Sequence, residues 1–486
     1  MNLLIMPIDS PTRPTPSDTP THPEAPTSPA PAPARMSGRA RLVLMVLCAA
    51  QFIVALDFSI LNVALPVMGA DLGMSQADLQ WAVTAFALPS GGFLLLFGRI
   101  GDLYGRRKLF LAGLALFTAA SVVATLAWNP AALLAGRALQ GLAAAAIVPT
   151  GMSLLTTTFA EGPERERALG ISGTLLSLGF TIGMVLGGSM TDTLGWRSTM
   201  GLLAVCTLLV LVAAPGLLAE SRTPDRPRLD VPGAVTVTGG LLAVIYALST
   251  AGERGFGGAD VLVTLVVGIA LLVAFVIVES RAEQPLVSLP MLRRRTIAWG
   301  NLGGLVTFSM MSTVIFVLTL YLQEVLELSA FQTGLVFGVQ GALSAVAGGY
   351  APRVIGRFGA RRTLVFSLLG QGLFVAALLG LDSGGRSVWL ATAAVSLASM
   401  CHLGAIISYG LTVTSGVPDE EQGLATGLVT STQQVGLTVG IPLLGVLATT
   451  GSELLPGVRL VLGVDAAIVV AAGLLVALGL RKPARS

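Results

Sequence analysis

Two charged residues stand where neither charge is easily tolerated. Asp57 lies in Leu56-Asp57-Phe58-Ser59-Ile60-Leu61-Asn62-Val63-Ala64-Leu65-Pro66, inside a long apolar run, and Arg137 is the only cation within any comparable run. A charge at the centre of a membrane helix is unfavourable by roughly 2.5–3.5 kcal/mol on insertion scales, so each should face a cavity, a partner or both. At 1.5 Å per residue, Asp57 is about 13 Å and Arg137 about 9 Å from the outer ends of their helices, which lets the two charges meet. Such a pair either fastens helices together or titrates and couples a proton to another event, and both readings stay open here.

A second cluster is Gly98-Arg99-Ile100-Gly101-Asp102-Leu103-Tyr104-Gly105-Arg106-Arg107-Lys108, wedged between two apolar segments. Its glycines allow a sharp turn and close helix approach, and Asp102 sits within one loop of four cations. Gly179, Gly183 and Gly187 recur every fourth residue, followed by Gly188, and should expose a backbone strip for close helix contact.

Other polar groups in apolar runs are candidate cavity residues: Asn62, His402, Gln433, Gln434 and Asp465. His402 is either a satisfied core or cavity histidine or a proton relay. Gln433 and Gln434, beside Ser431 and Thr432, either line a cavity or bind neighbouring helices. Asp465 is either functional or turned towards interfacial water. Cys48, Cys206 and Cys401 have no paired spacing and are expected to be small core residues. With His22 and His402 the only histidines and no Gly-x-Ser-x-Gly elbow, neither a hydrolytic triad nor a histidine-rich metal site is expected. The only lysines, Lys108 and Lys482, leave no phosphate-cradling Gly-x-x-x-x-Gly-Lys-Ser/Thr loop. No cofactor is expected.

The elements that must hold these groups are helices. Of 486 residues, 53% are hydrophobic and 11% charged, outside the range of soluble globular domains. Apolar stretches of about twenty residues recur almost to the end with short connections, leaving no room for a catalytic domain. About fourteen crossings are expected: 41–65, 79–98, 108–127, 131–154, 168–190, 198–218, 232–250, 260–279, 297–320, 332–351, 362–380, 388–411, 424–447 and 458–480. Residues 1–35, rich in Pro, Thr and Ser, are expected to form a disordered cytoplasmic tail rather than a signal peptide, and Met36 is a second candidate start of translation.

Charge asymmetry orients the spans. Alternate loops carry Arg99, Arg106, Arg107 and Lys108; Arg165 and Arg167; Arg222, Arg226 and Arg228; Arg281 and Arg293 to Arg295; Arg353, Arg357, Arg361 and Arg362. The opposite loops carry only Arg197, Arg254, Arg386 and Arg459, so both termini should be cytoplasmic. Asp419, Glu420 and Glu421 break the pattern in one inner loop, but acids contribute little to orientation. Nucleic-acid binding has no support, because the charges follow membrane side rather than gathering into a patch. Arg353, Gly359, Arg361 and Arg362 fall on Arg99, Gly105, Arg107 and Lys108, with Gly356 in place of Asp102. This internal repeat points to two six-helix halves separated by a two-helix insertion.

The spacing Gly98-x-x-x-Asp102-x-x-Gly105-Arg106-Arg107-Lys108 resembles the signature loop of the major facilitator superfamily. Leu134 to Gly141, around Arg137, is similar to that superfamily's fourth-span motif, and Leu56 to Pro66 to the first-span motif of its fourteen-span drug:proton antiporters. The family's antiporter motif has proline after the second glycine of the span-five strip, where this chain has Met184. The resemblance covers residues 36–480. It implies an all-α integral membrane protein of the major facilitator fold, in the cell membrane, of the multidrug-efflux type. It also implies a proton-transfer role for Arg137, and that Gly98, Asp102, Gly105, Arg106 and Arg107 form an inner gate; with Arg137, Asp57 is expected to couple protons to substrate.

The expected organisation is a tail at 1–35, a six-helix half at 36–218, an insertion at 219–296, a second half at 297–480 and a tail at 481–486. The expected function is proton-coupled export of small amphipathic compounds such as drugs or toxic metabolites, with protons, the small molecule and lipid as partners and no ATP site. A symporter or facilitator of the same fold, a binding or sensory membrane protein without flux, and a membrane enzyme are the alternatives.

Overall fold

The computed structural model describes residues 36–74, 76–159, 163–220, 230–254, 257–282, 289–417, 422–448 and 454–481. The expected tail at 1–35, the arginines at 222, 226 and 228, the acids at 419–421 and Lys482 lie outside the described residues. All described helices belong to one compact unit, Ser37–Ser486.

Sixteen α-helices carry the described chain: α1 Gly38–Leu72, α2 Gln76–Gly92, α3 Leu94–Tyr104, α4 Arg106–Thr125, α5 Pro130–Thr158, α6 Pro163–Leu194, α7 Trp196–Leu217, α8 Val231–Arg254, α9 Ala259–Glu279, α10 Leu289–Leu292, α11 Arg295–Leu320, α12 Ala330–Phe358, α13 Ala360–Ala377, α14 Ser387–Thr414, α15 Gln422–Ala448 and α16 Leu454–Gly479. Local chemistry sets several starts. Asn129 caps α5 through Oδ1 to the Ala132 N–H at 2.8 Å, with Pro130 in the first turn. Ser329 and Gln332 cap α12 reciprocally, in the arrangement that satisfies two orphan amides at once.

The expected count of fourteen crossings is not confirmed. Twelve described helices are long and apolar enough to span a bilayer, or thirteen when the bent α2–α3 pair counts as one. The stretch expected as one span, 79–98, is broken at Phe93 and bent by 50°. Pro89 cannot donate to the helix ladder and Gly91 and Gly92 follow it, which weakens the helix there. The 27-residue α15 is the remaining expected crossing and is not among the twelve.

Packing repeats along the chain. α1 packs on α5, α6 and α7, α2 on α5, and α4 on α5 and α7; α11 packs on α14, α15 and α16, α12 on α14, and α13 on α14 and α16. Between these two sets, α6 meets α12 and α15 meets α2, the exchange that an internal two-fold demands. The hairpin α8–α9 lies outside this repeat, with α8 against α2 and α15. Val263, Val266, Ile269 and Val273 of α9 are exposed, as suits a lipid-facing surface.

The end of the bundle that bears the loop around Gly105 is called here the basic face, and the opposite end the far face. Trp128 and Trp389, just before α5 and in the first turn of α14, are both largely exposed at the far face, as interfacial anchors are.

Candidate functional site

Asp57 and Arg137 meet in the interior of the bundle, between α1 and α5. Arg137 Nη1 donates to both Asp57 oxygens, at 2.7 and 2.8 Å, and neither side chain is exposed. The same nitrogen is 2.9 Å from Gln140 Oε1, and Gln140 Nε2 donates to Ser121 Oγ of α4 at 2.9 Å. Arg137 Nε reaches the Ala82 carbonyl at 3.3 Å, and its guanidinium lies 4.6 Å from the Phe86 ring centroid. The network therefore ties α1, α2, α4 and α5 together around one cation.

Two features of this network bear on what it can do. Arg137 Nη2 is buried without a hydrogen-bond partner among the described residues, so the pair is not the two-nitrogen fork that holds a carboxylate most firmly. Arg137 also keeps Ala82, Gln140 and Phe86 when Asp57 is set aside. Protonation of Asp57 thus leaves the guanidinium with acceptors and a π face rather than stranded, which a purely structural ion pair does not require.

Close backbone approach builds the site. A Cβ on Gly141 would run into the Phe86 carbonyl, so the glycine lets α2 lie against α5 and brings Phe86 over Arg137. The strip of α6 packs on the helix that carries Asp57. A Cβ on Gly179 would lie 3.0 Å from the Phe52 carbonyl oxygen, one on Gly183 would meet Ser59, and one on Gly187 would lie 3.0 Å from Ile60 Cα. Gly188 instead faces α12, 3.0 Å from Phe331 Cα on the same measure. α6 is unbroken at Met184, whose side chain is buried.

The signature loop pairs within itself and with the end of α7 and the residues just after it. Asp102 pairs with Arg106 at 2.8 Å, one helical turn away across Gly105. Gly105 has φ +116°, and its counterpart Gly359 has φ +81°, so both repeats place glycine where the backbone is left-handed. Glu220, which the sequence reading did not single out, accepts from the Arg107 N–H at 3.2 Å, while Arg107 Nη2 donates to the Pro215 carbonyl at 2.7 Å. Gly98 rests against Pro149 of α5.

The candidate cavity residues divide. Asn62 is buried, donating to the Phe58 carbonyl at 2.7 Å, with Oδ1 unpartnered among the described residues. Asp465 does not face interfacial water: it is fully buried, and neither carboxylate oxygen has a partner among the described residues. α16 packs on α11 and α13, and Gly372 of α13 lies against the Ala466 carbonyl beside Asp465. Gln433 is part-exposed on α15, and the side chain of Gln434 lies outside what is described. His402 of α14 joins Thr307 of α11 and Gln371 of α13. No described group of three or more His, Cys, Asp and Glu is placed to hold a metal.

Cation neighbours were what the sequence could not supply. Gln140 and Ser121 are ordinary polar residues in apolar helices, and only the i,i+3 spacing of Arg137 and Gln140 signals that they share a face.

A family model described as Major Facilitator Superfamily matches residues 47–440. Among curated proteins, the chain is 39% identical over 419 residues to the cephamycin export protein CmcT of Amycolatopsis lactamdurans, covering 85% of each chain. It is 37% identical to the puromycin resistance protein pur8 of Streptomyces alboniger, over 84% of this chain and 81% of that one. It is 31% identical to the tetracenomycin C resistance and export protein of Streptomyces glaucescens, over 85% and 76%. Among solved structures, a peptide transporter POT in complex with sulfate superposes with a TM-score of 0.68 at 15% identity, covering 90% of this chain and 94% of that one, a likeness of fold alone.

Proposed function

Because this chain belongs to the Major Facilitator Superfamily, we propose that it is a proton-coupled exporter of small amphipathic compounds in which Asp57 carries the proton and Arg137 sets its affinity. That it is a secondary transporter of the drug-exporting kind follows from its relatives, which export or confer resistance to antibiotics. The coupling ion, the direction of exchange and the residues are the proposal. The observation that carries it is the buried Asp57–Arg137 contact, in which the cation keeps other partners if the acid takes up a proton.

In this scheme the two halves, 36–218 and 297–480, rock against each other, and the buried pair is carried inside the first. Hydrogen bonds that join them, Gln323 Nε2 to the Val63 carbonyl and the Phe331 N–H to Asp192, lie towards the far face. α6 meets α12 there as well, with Thr181, Met184 and Val185 against Gly341, Gly334 and Gly338. With the basic face cytoplasmic, as the arginine distribution favours, this conformation is closed outside and its pair is sealed from water. Opening outward admits a proton to Asp57, and opening inward releases it, so the two protonation states favour different conformations. Each proton contributes about 2.3 kcal/mol per 100 mV, enough for roughly a fiftyfold gradient of a neutral compound.

The plasma membrane, with both termini inside, is the proposed location, and an ion gradient rather than ATP the energy source. A proton symporter is the second reading, favoured by Met184 and the uninterrupted α6. The test is transport in proteoliposomes of a panel of lipophilic cations, neutral antibiotics and secondary metabolites under an imposed proton gradient. Uptake into inside-out vesicles that collapses with the gradient supports antiport; uptake with the proton supports symport; gradient-independent equilibration contradicts both.

A further inference from the structure

Three of the four helices that hold the Asp57 network, α1, α4 and α5, have as packing counterparts α11, α13 and α14, and those three also enclose a polar centre. It contains no charge. Thr307 Oγ1 is 2.5 Å from Gln371 Oε1 and 2.9 Å from His402 Nδ1, and Gln371 Nε2 lies 3.4 Å from the Thr307 carbonyl. Phe308 meets the His402 ring edge-on at 5.3 Å.

Hydrogen-bond direction fixes the histidine's state. Gln371 donates from Nε2 to a backbone carbonyl, which sets the amide so that Oε1 faces Thr307. An amide oxygen only accepts, so the one hydroxyl proton of Thr307 goes to Gln371, and Thr307 Oγ1 can only accept from His402. Nδ1 therefore carries the ring proton and Nε2 the lone pair. Nε2 has no hydrogen-bond partner among the described residues, and the residue is part-exposed rather than sealed.

Charged neighbours do not compete for this ring. α14 packs against α11, α12, α13 and α15. Their charged residues are Arg295 at the start of α11, Arg353 and Arg357 at the end of α12, and Arg361 and Arg362 at the start of α13, all at the basic face, while α15 has none. No acid faces His402 from these helices. A second bare acceptor lies nearby: Ser399, one turn before His402, is bonded by Gln340 Nε2 at 2.6 Å, and Gln340 Oε1 is buried without a partner among the described residues.

We propose that His402 is a neutral acceptor fixed in one tautomer, which binds through Nε2 a transported compound bearing a hydroxyl, amide N–H or ammonium donor beside an aromatic or apolar surface. The aromatic edge of Phe308 supplies the apolar contact. The occupant is cargo only if the transport reading holds, but the site does not depend on proton coupling. The first half would then hold the proton and the second half recognise the compound.

The test uses full-length protein in nanodiscs carrying His22→Gln, so that His402 is the only histidine, labelled with 15N-histidine. The expected spectrum shows Nδ1 protonated and Nε2 bare. (4-Hydroxyphenyl)triphenylphosphonium should move the Nε2 resonance, and tetraphenylphosphonium, which lacks the donor, should not. His402→Asn keeps a donor for Thr307 but removes Nε2; it should weaken binding of the hydroxylated cation by roughly five- to thirtyfold and leave the parent cation within about twofold. A ring protonated at Nε2, a resonance unmoved by the hydroxylated cation up to its solubility limit, or equal responses to both cations overturns the proposal. Asp57→Asn removes coupling but leaves these binding readouts in place, so the two readings fail separately.

Discussion

One terminal nitrogen of Arg137 holds both carboxylate oxygens of Asp57, at 2.7 and 2.8 Å, while its other terminal nitrogen stays unpaired among the described residues. Removing either partner has unequal consequences. Arg137→Ala leaves a buried carboxylate without its cation and should destabilise the fold by about 3–5 kcal/mol, read as a large drop in thermal unfolding midpoint. Asp57→Asn leaves Arg137 with Ala82, Gln140 and Phe86, so its midpoint should fall far less. Equal losses in the two variants would show that Arg137 has no independent support.

Gly141 is where α5 and α2 touch backbone to backbone. Gly141→Ala drives a methyl group into the Phe86 carbonyl and should cost about 1–3 kcal/mol, with transport reduced as Phe86 leaves Arg137. Gly170→Ala, on the exposed face of α6 with no atom within 4 Å of the new Cβ, should be neutral or stabilise slightly. Parallel unfolding curves for the two variants test whether close approach, rather than glycine itself, matters.

Much of this was legible in the chain. Asp57 and Arg137 are conspicuous because charge in an apolar run requires a partner, and depth along two helices was enough to pair them. The glycine strip was equally plain, because a four-residue repeat has one packing consequence. Less visible were Gln140, Ser121, Thr307 and Gln371, which are neutral and common in helices and acquire meaning only from what faces them. For Asp465 the two open readings could not be separated, because depth along a helix does not report which side of it is covered; its burial removes the interfacial-water one. The 79–98 span looked continuous because hydropathy does not register the ladder bond lost at Pro89.

At the basic face, Asp102 and Arg106 form an ion pair around a left-handed glycine. Asp102→Asn should slow turnover while leaving compound binding nearly unchanged, as expected of a latch rather than a binding group. Gly105→Ala meets both an unfavourable φ of +116° and the Glu220 carboxylate 2.7 Å from the new Cβ. It should destabilise by about 1–2 kcal/mol, and Gly105→Ala with Glu220→Ala should recover only the steric part. Paired transport and unfolding measurements separate these effects.

Asp382, between α13 and α14, accepts from the Ser387 hydroxyl at 2.6 Å and the Gly384 N–H at 2.8 Å, and these bonds hold its carboxyl below the usual carboxylate range. A lowered folded value means stability that is present above the unfolded value, about 3.9, and lost as pH falls through the folded one. The difference in unfolding midpoint between the protein and Asp382→Asn should therefore be present at pH 7 and shrink below about pH 4. A difference that grows on acidification contradicts this assignment.

The central claim, that Asp57 carries the coupling proton, is tested most directly by substrate-induced proton movement in proteoliposomes loaded with a pH-sensitive dye. With a compound identified in the transport panel, the protein should move protons opposite to the compound, and Asp57→Asn should still bind the compound but move none. Undiminished proton movement in Asp57→Asn would contradict the account.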